Sequence, residues 1–147
     1  MRTAIRGSYS GWEKVASGVP QRTVLAPNLF IMYINDMPEK VTSYINMFAD
    51  DAKILRKIEN EDDCIRVQGD LNSLVEWAGK WKMRFNVSKC RVLQMGKSEK
   101  RPRRNYMIGL EELGGGGTVK DLGVRIDENM SPQGHINEVV KGAYAVG

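Results

Sequence analysis

Tyr44-Ile-Asn-Met-Phe-Ala-Asp-Asp-Ala-Lys-Ile-Leu55 is the stretch on which the reading of this chain turns. Two adjacent aspartates, Asp50 and Asp51, have apolar residues on both sides, and no other charge occurs in the stretch until Lys53. Tyr44 and Phe48 before the pair, and Ile54 and Leu55 after it, predict two short strands, which puts the acidic residues at the tip of a hairpin. Two negative charges on a tight turn repel each other. A divalent cation removes that cost and takes carboxylate oxygens as hard ligands. The competing reading is an ordinary polar turn, because Asp is common in turns for its own backbone-bonding reasons. What lies elsewhere in the chain has to separate the two.

Composition sets wide bounds. A chain of 147 residues with 41% hydrophobic and 27% charged residues has the length and composition of one globular domain. Its 22 basic and 18 acidic residues give a net charge of +4, which suits a polyanionic partner without requiring one. Cys64 and Cys90 are the only cysteines and His135 the only histidine. With no CxxC spacing, neither a zinc site nor a disulfide framework is implied, and both thiols read as reduced packing residues. The start has no apolar signal region, and no apolar run reaches the roughly 18 residues of a membrane span. The expectation is an intracellular chain, in the nucleus or cytoplasm, neither secreted nor membrane-bound.

Along the chain, Trp12 and Val15 read as the end of a strand. A helix is expected from Pro27, with Leu29, Phe30, Met32, Tyr33 and Ile34 apolar, until Asp36 and Pro38 close it. The clearest helical pattern runs from Glu61 to Trp81, where Cys64, Val67, Leu71, Leu74, Val75, Ala78 and Trp81 recur at three- and four-residue steps. Asn60 is its expected N-cap, and Glu61, Asp62 and Asp63 suit the positive end of the helix dipole. A strand is expected over Arg91-Val-Leu-Gln-Met95, then exposed loops at the basic run of Lys97, Lys100, Arg101, Arg103 and Arg104 and at Gly114 to Gly117. Ile136 to Ala145 reads as a closing amphipathic helix. The order of strands and helices is that of an α+β fold.

Upstream of the acidic pair lies Ser17-Gly-Val-Pro-Gln-Arg-Thr-Val-Leu-Ala-Pro-Asn-Leu-Phe30, followed by Ile31-Met-Tyr-Ile-Asn-Asp-Met37. Together with Phe48-Ala-Asp-Asp51, Trp77-Ala-Gly-Lys-Trp-Lys-Met-Arg-Phe-Asn-Val-Ser-Lys-Cys90 and Asp121-Leu-Gly-Val-Arg-Ile-Asp127, it resembles the reverse transcriptase of non-LTR (LINE-type) retrotransposons, block by block and in order. The resemblance implies a partial reverse transcriptase domain over residues 1–147, with a palm core at about 7–96 and basic loops, Gly-rich loops and a post-palm segment at about 97–147. Its fold would be an incomplete α+β polymerase palm, with an antiparallel sheet, a catalytic-type hairpin and packing helices. The activity implied is RNA-directed DNA polymerisation, with an RNA template, a DNA primer and dNTP as partners and Mg²⁺ or Mn²⁺ as cofactor.

By the same resemblance, Asp50 and Asp51 are metal ligands and catalytic residues, and Lys89 is the basic group beside the leaving pyrophosphate. Pro20, Gln21, Arg22, Phe48 and Ala49 fall at positions that meet nucleic acid or nucleotide. The chain also departs from the pattern. The family has a further aspartate upstream, yet the only acid before Ser17 is Glu13, so the expectation is a chain without polymerase activity by itself, with complementation by missing polymerase segments from another chain conceivable. Arg22 stands where the family usually has Gly, adding bulk where backbone could approach nucleic acid. Thr23 for Ser, Ala26 for Gly and Asn28 for an apolar residue are smaller changes. Two alternatives remain: a nucleic-acid-binding or regulatory remnant using the 97–104 basic run, and a relic with no stable fold.

Overall fold

The computed structural model describes residues 2, 4–14, 24–96 and 102–144. Its longest helix, α2 in chain order, carries residues of both buried clusters. A small hairpin, β1 (Ala4–Ile5) with β2 (Ser8–Tyr9), comes first, and then helix α1 (Ala26–Ile34). The acidic hairpin follows as β3 (Tyr44–Phe48) and β4 (Asp51–Leu55), and then α2 (Glu61–Lys80). Beyond α2 lie β5 (Arg91–Val92), β6 (Met107–Ile108), β7 (Glu111–Glu112), β8 (Gly114–Gly115), β9 (Thr118–Asp121), β10 (Val124–Asp127) and α3 (Gln133–Tyr144). The arrangement is mixed α+β. Among the described residues the strands form five two-stranded ribbons, four antiparallel and one parallel.

Helix α2 starts and stops for local reasons. The Asn60 side chain accepts from the Asp63 amide at 3.0 Å while the Asp63 carboxylate accepts from the Asn60 amide at 3.3 Å, a reciprocal cap that satisfies two otherwise unpaired donors. At the other end Lys82 has φ +55°, and the amides of Lys82 and Met83 turn back to the carbonyls of Gly79 and Ala78 at 3.2 and 2.8 Å. This is the Schellman arrangement, with lysine in the left-handed position that glycine usually takes.

The buried side of α2 serves two clusters. Leu74, Trp77 and Ala78 pack with Ile34 and Met37, and the inward residues of the acidic hairpin, Ile45, Met47 and Ile54, close against them. Leu71 packs with Tyr106 and Leu113, joined by Val67, Val92, Ile108 and again Ile54. Ile54 therefore touches both. Trp77 adds a polar tie, its indole N–H donating to Asp36 at 2.8 Å just past the end of α1. Tyr33 donates its hydroxyl to the Trp81 carbonyl and meets the Trp81 ring edge-on at 4.9 Å.

The strand expected over 91–95 is shorter, covering Arg91–Val92 alone. Its partner is part of the tetraglycine stretch, which was expected to be a loop: Gly114 and Gly115 pair in parallel with Arg91 and Val92. A partner without side chains gives no cross-strand pairs to extend the ladder, and the chain turns away at Gly116, whose amide still reaches Val92 O at 3.3 Å. No strand reaches Trp12, and Val15 lies outside the described residues. Of the helix face read from the sequence, Val67, Val75 and Trp81 are only half-buried, while Asp70, a carboxylate, is 3% exposed. Trp77 belongs to the core, as expected, at 3% exposure.

Candidate functional site

The acidic hairpin is held in register by five antiparallel pairs, from Tyr44 with Leu55 to Phe48 with Asp51, leaving Ala49 and Asp50 as a two-residue turn. Hairpin turns of this length need positive φ at the first central residue to match the strand twist. Ala49 supplies it at +53°, in a region that residues with a Cβ occupy only at a cost. The turn thus carries strain at the residue beside the two carboxylates.

Side chains alternate along a strand, so the hairpin has two faces. Ile45, Met47 and Ile54 look into the core. Tyr44, Asn46 and Phe48 lie on the other side, with Asp51, Lys53 and Leu55 opposite them. Phe48 is 62% exposed there, and both Asp50 and Asp51 are exposed. Among the described residues no hydrogen bond or ion pair engages either carboxylate. Their nearest basic neighbour in the strand, Lys53, is itself taken, with Nζ 2.6 Å from the Asp121 carboxylate at the end of β9.

The base of the hairpin is held by a residue that sequence reading passed over. Asp70, buried on α2, accepts from the amides of Thr42 and Ser43 at 2.7 and 2.8 Å and from the Thr42 hydroxyl at 3.0 Å. Burial pushes the Asp70 carboxyl up, but the bonds from Ser43 and Thr42 outweigh it, and its pKa ends below the ordinary carboxylate value. Arg56 Nη2 reaches the same Thr42 hydroxyl at 3.2 Å. A signal existed in the sequence: Asp70 sits between Val67, Leu71 and Leu74 on an apolar stripe, where a carboxylate needs partners to be tolerated. Gln68 was missed too. Its amide clamps the Met107 backbone from both sides, donating to O and accepting from N at 2.9 Å each.

Of the residues picked from sequence, the structure brings together Phe48, Ala49, Asp50 and Asp51 at one tip. Lys89 ends a short 3-10 turn, Val87–Lys89, and is exposed. Among the described residues no bond joins it to the hairpin. Pro20, Gln21 and Arg22 lie outside the described residues, as do Lys97, Lys100 and Arg101 of the basic run. Arg104 from that run is paired with Glu61 at 2.9 Å, so part of its charge is already balanced.

The donor chemistry at the tip fits a hard divalent cation. Mg²⁺ commonly takes one or two carboxylates and fills its other positions with water and substrate phosphates. Two carboxylates are what this tip offers, and among the described residues no group of three or more His, Cys, Asp or Glu comes together as a cage.

Residues 3–126 match the sequence model of the reverse transcriptase (RNA-dependent DNA polymerase) family. The chain is 29% identical over 148 residues to a Drosophila melanogaster protein named "Probable RNA-directed DNA polymerase from transposon X-element", a match covering 94% of this chain and 16% of that protein. RNA-directed DNA polymerases from the mobile element jockey are 30% identical in Drosophila melanogaster and 34% in Drosophila funebris, each over 96 residues. Those matches cover 59% and 57% of this chain and 10% of each relative. No solved structure matches the chain. No helix among the described residues is long and apolar enough to cross a membrane.

Proposed function

The chain belongs to the reverse transcriptase family, as part of a reverse transcriptase domain of the non-LTR retrotransposon kind, and from that premise we propose that its acidic hairpin is the metal-binding tip of a polymerase palm. Asp50 and Asp51 are the cation ligands. The observation that carries this reading is their placement: Asp50 in the turn and Asp51 heading β4 on the face away from the core, both open to solvent and unbonded to protein among the described residues. Asp70 and Asp121, by contrast, are bonded to backbone amides and to a lysine.

A bound Mg²⁺ or Mn²⁺ would lower the pKa of the primer hydroxyl and balance charge on the triphosphate. The chain's own residues hold and orient around that chemistry. Phe48 and Ala49 place the carboxylates and present an apolar surface to the primer end, and Pro20, Gln21 and Arg22 meet template or nucleotide. Lys89 donates a proton to the leaving pyrophosphate. The partners are an RNA template, a DNA primer and dNTP. The 147 residues by themselves do not polymerise, because two carboxylates make an incomplete site for a two-metal reaction. Polymerisation then needs palm and fingers segments in addition to these residues.

Primer extension on an RNA template with Mg²⁺ or Mn²⁺ tests this, run beside Asp50→Asn on protein shown to be folded by circular dichroism. The expected result is no extension by the 147 residues alone, with Mn²⁺ binding that Asp50→Asn abolishes. Extension that disappears in Asp50→Asn would overturn the inactivity and keep the metal site. Mn²⁺ binding unchanged in Asp50→Asn would remove the metal site itself.

A further inference from the structure

Lys53 poses a problem for any cation held by Asp50 and Asp51. It lies two residues from Asp51 on the same face of β4, and such positions are only about 7 Å apart along a strand. Lysine has a flexible four-carbon stem and a compact charge. Left free, the Lys53 ammonium could fold toward Asp51 and occupy the carboxylate that a divalent cation needs. It is not free. Its Nζ lies 2.6 and 2.7 Å from the two carboxylate oxygens of Asp121, and both side chains are mostly covered, at 33% and 26% exposure. Asp121 comes from a different ribbon, with no backbone ladder between β9–β10 and β3–β4. The other basic groups of the neighbouring ribbon are engaged elsewhere, Lys120 and Arg125 with Glu138.

We infer that the Lys53–Asp121 pair is an electrostatic latch: Asp121 draws the Lys53 ammonium away from Asp51 and so sets the affinity of the acidic tip for a divalent cation. The inference rests on the reading of Asp50 and Asp51 as cation ligands. Lys53 and Asp121 are positioning residues here, since neither touches the cation. The latch also makes the tip depend on the β9–β10 ribbon: whatever shifts Asp121 releases a competing charge onto Asp51.

A double-substitution cycle read by Mn²⁺ binding tests it. Free Mn²⁺ is followed by electron paramagnetic resonance at low ionic strength, where exposed charges are least screened. The proteins are the unsubstituted chain, Asp50→Asn, Asp121→Asn, Lys53→Met and the double variant, each checked for fold by circular dichroism. Asp121→Asn should weaken Mn²⁺ binding about fivefold, the size expected when a unit charge faces a divalent one at this separation in a watery medium. Lys53→Met should strengthen it, and by at least about threefold more in the Asp121→Asn background than alone, because only there is the ammonium loose. Two independent charges would give equal Lys53→Met effects in both backgrounds, and that result overturns the latch. A pair that merely stiffens the hairpin predicts weaker binding in both single variants, which also overturns it. If Asp121→Asn fails to fold, Asp121→Ser takes its place in the cycle. No saturable Mn²⁺ binding by the unsubstituted chain, or no loss in Asp50→Asn, sinks the metal reading and the latch with it.

Discussion

The base and the tip of the acidic hairpin are built on opposite plans. At the base, the Asp70 carboxylate is buried and bonded to the backbone of Thr42 and Ser43, while Ile45 and Ile54 pack into the core. At the tip, two carboxylates stand in solvent beside a residue held at positive φ. The same side-chain chemistry does structural work where its oxygens are satisfied and is left available where they are not. The contrast teaches that exposure alone does not mark a functional acid. On the proposed reading, what sets Asp50 and Asp51 apart is that they stand side by side at a turn whose base is well bonded.

If the contrast is right, substitutions at the base should cost stability and leave cation binding alone, and those at the tip should do the reverse. The largest loss is expected from Leu74→Ala, which empties space in the cluster under the hairpin and should cost about 3 kcal/mol in urea denaturation. Asp70→Ala comes next at about 2 kcal/mol, since it strands two amides that now bond a charged acceptor. Mn²⁺ affinity lost in parallel with this stability would break the distinction between base and tip. Asn60→Ala, which removes one half of the α2 cap, should cost about 1 kcal/mol.

Acidity sharpens the comparison in a different way. Because the folded pKa of Asp70 is below the unfolded value, its contribution is whole above the ordinary carboxylate range, about pH 4. Below that range the unfolded chain holds more protons, so stability falls as pH falls through the folded pKa. Asp70→Asn should flatten this part of the stability curve, and an unchanged slope would mean that other carboxylates carry the acid response. The smallest effects belong to the tip. Ala49→Gly should stabilise by under about 1 kcal/mol by relieving the positive φ. Asp50→Asn should move stability by less than about 0.5 kcal/mol while abolishing Mn²⁺ binding.

Elements built from neighbouring residues were legible in the sequence. Helix α2, its Asn60 cap and the acidic hairpin all follow from patterns within about 20 residues, and the structure places them within a residue or so of expectation. Contacts across long separations were not. Asp70 finds Thr42 across 28 positions and Gln68 finds Met107 across 39, and neither partner has a local sequence mark. The Gly114–Gly115 strand was hidden because glycine signals a loop, and its pairing with Arg91–Val92 depends on a parallel register that nothing nearby specifies. At the site, the acidic pair was readable from the apolar residues around it. The service of Lys53 to Asp121 was not, since a lysine in a strand says nothing about a carboxylate 68 residues away.

Ile54 belongs to the cluster under the acidic hairpin and to the cluster around Tyr106 and Leu113. A side chain shared in this way ties the packing of one cluster to that of the other. Their unfolding should therefore be a single cooperative transition, in which hydrogen exchange at Met107 and at Ile45 slows to the same limit. The strand that presents the acidic tip would then be as durable as the whole domain.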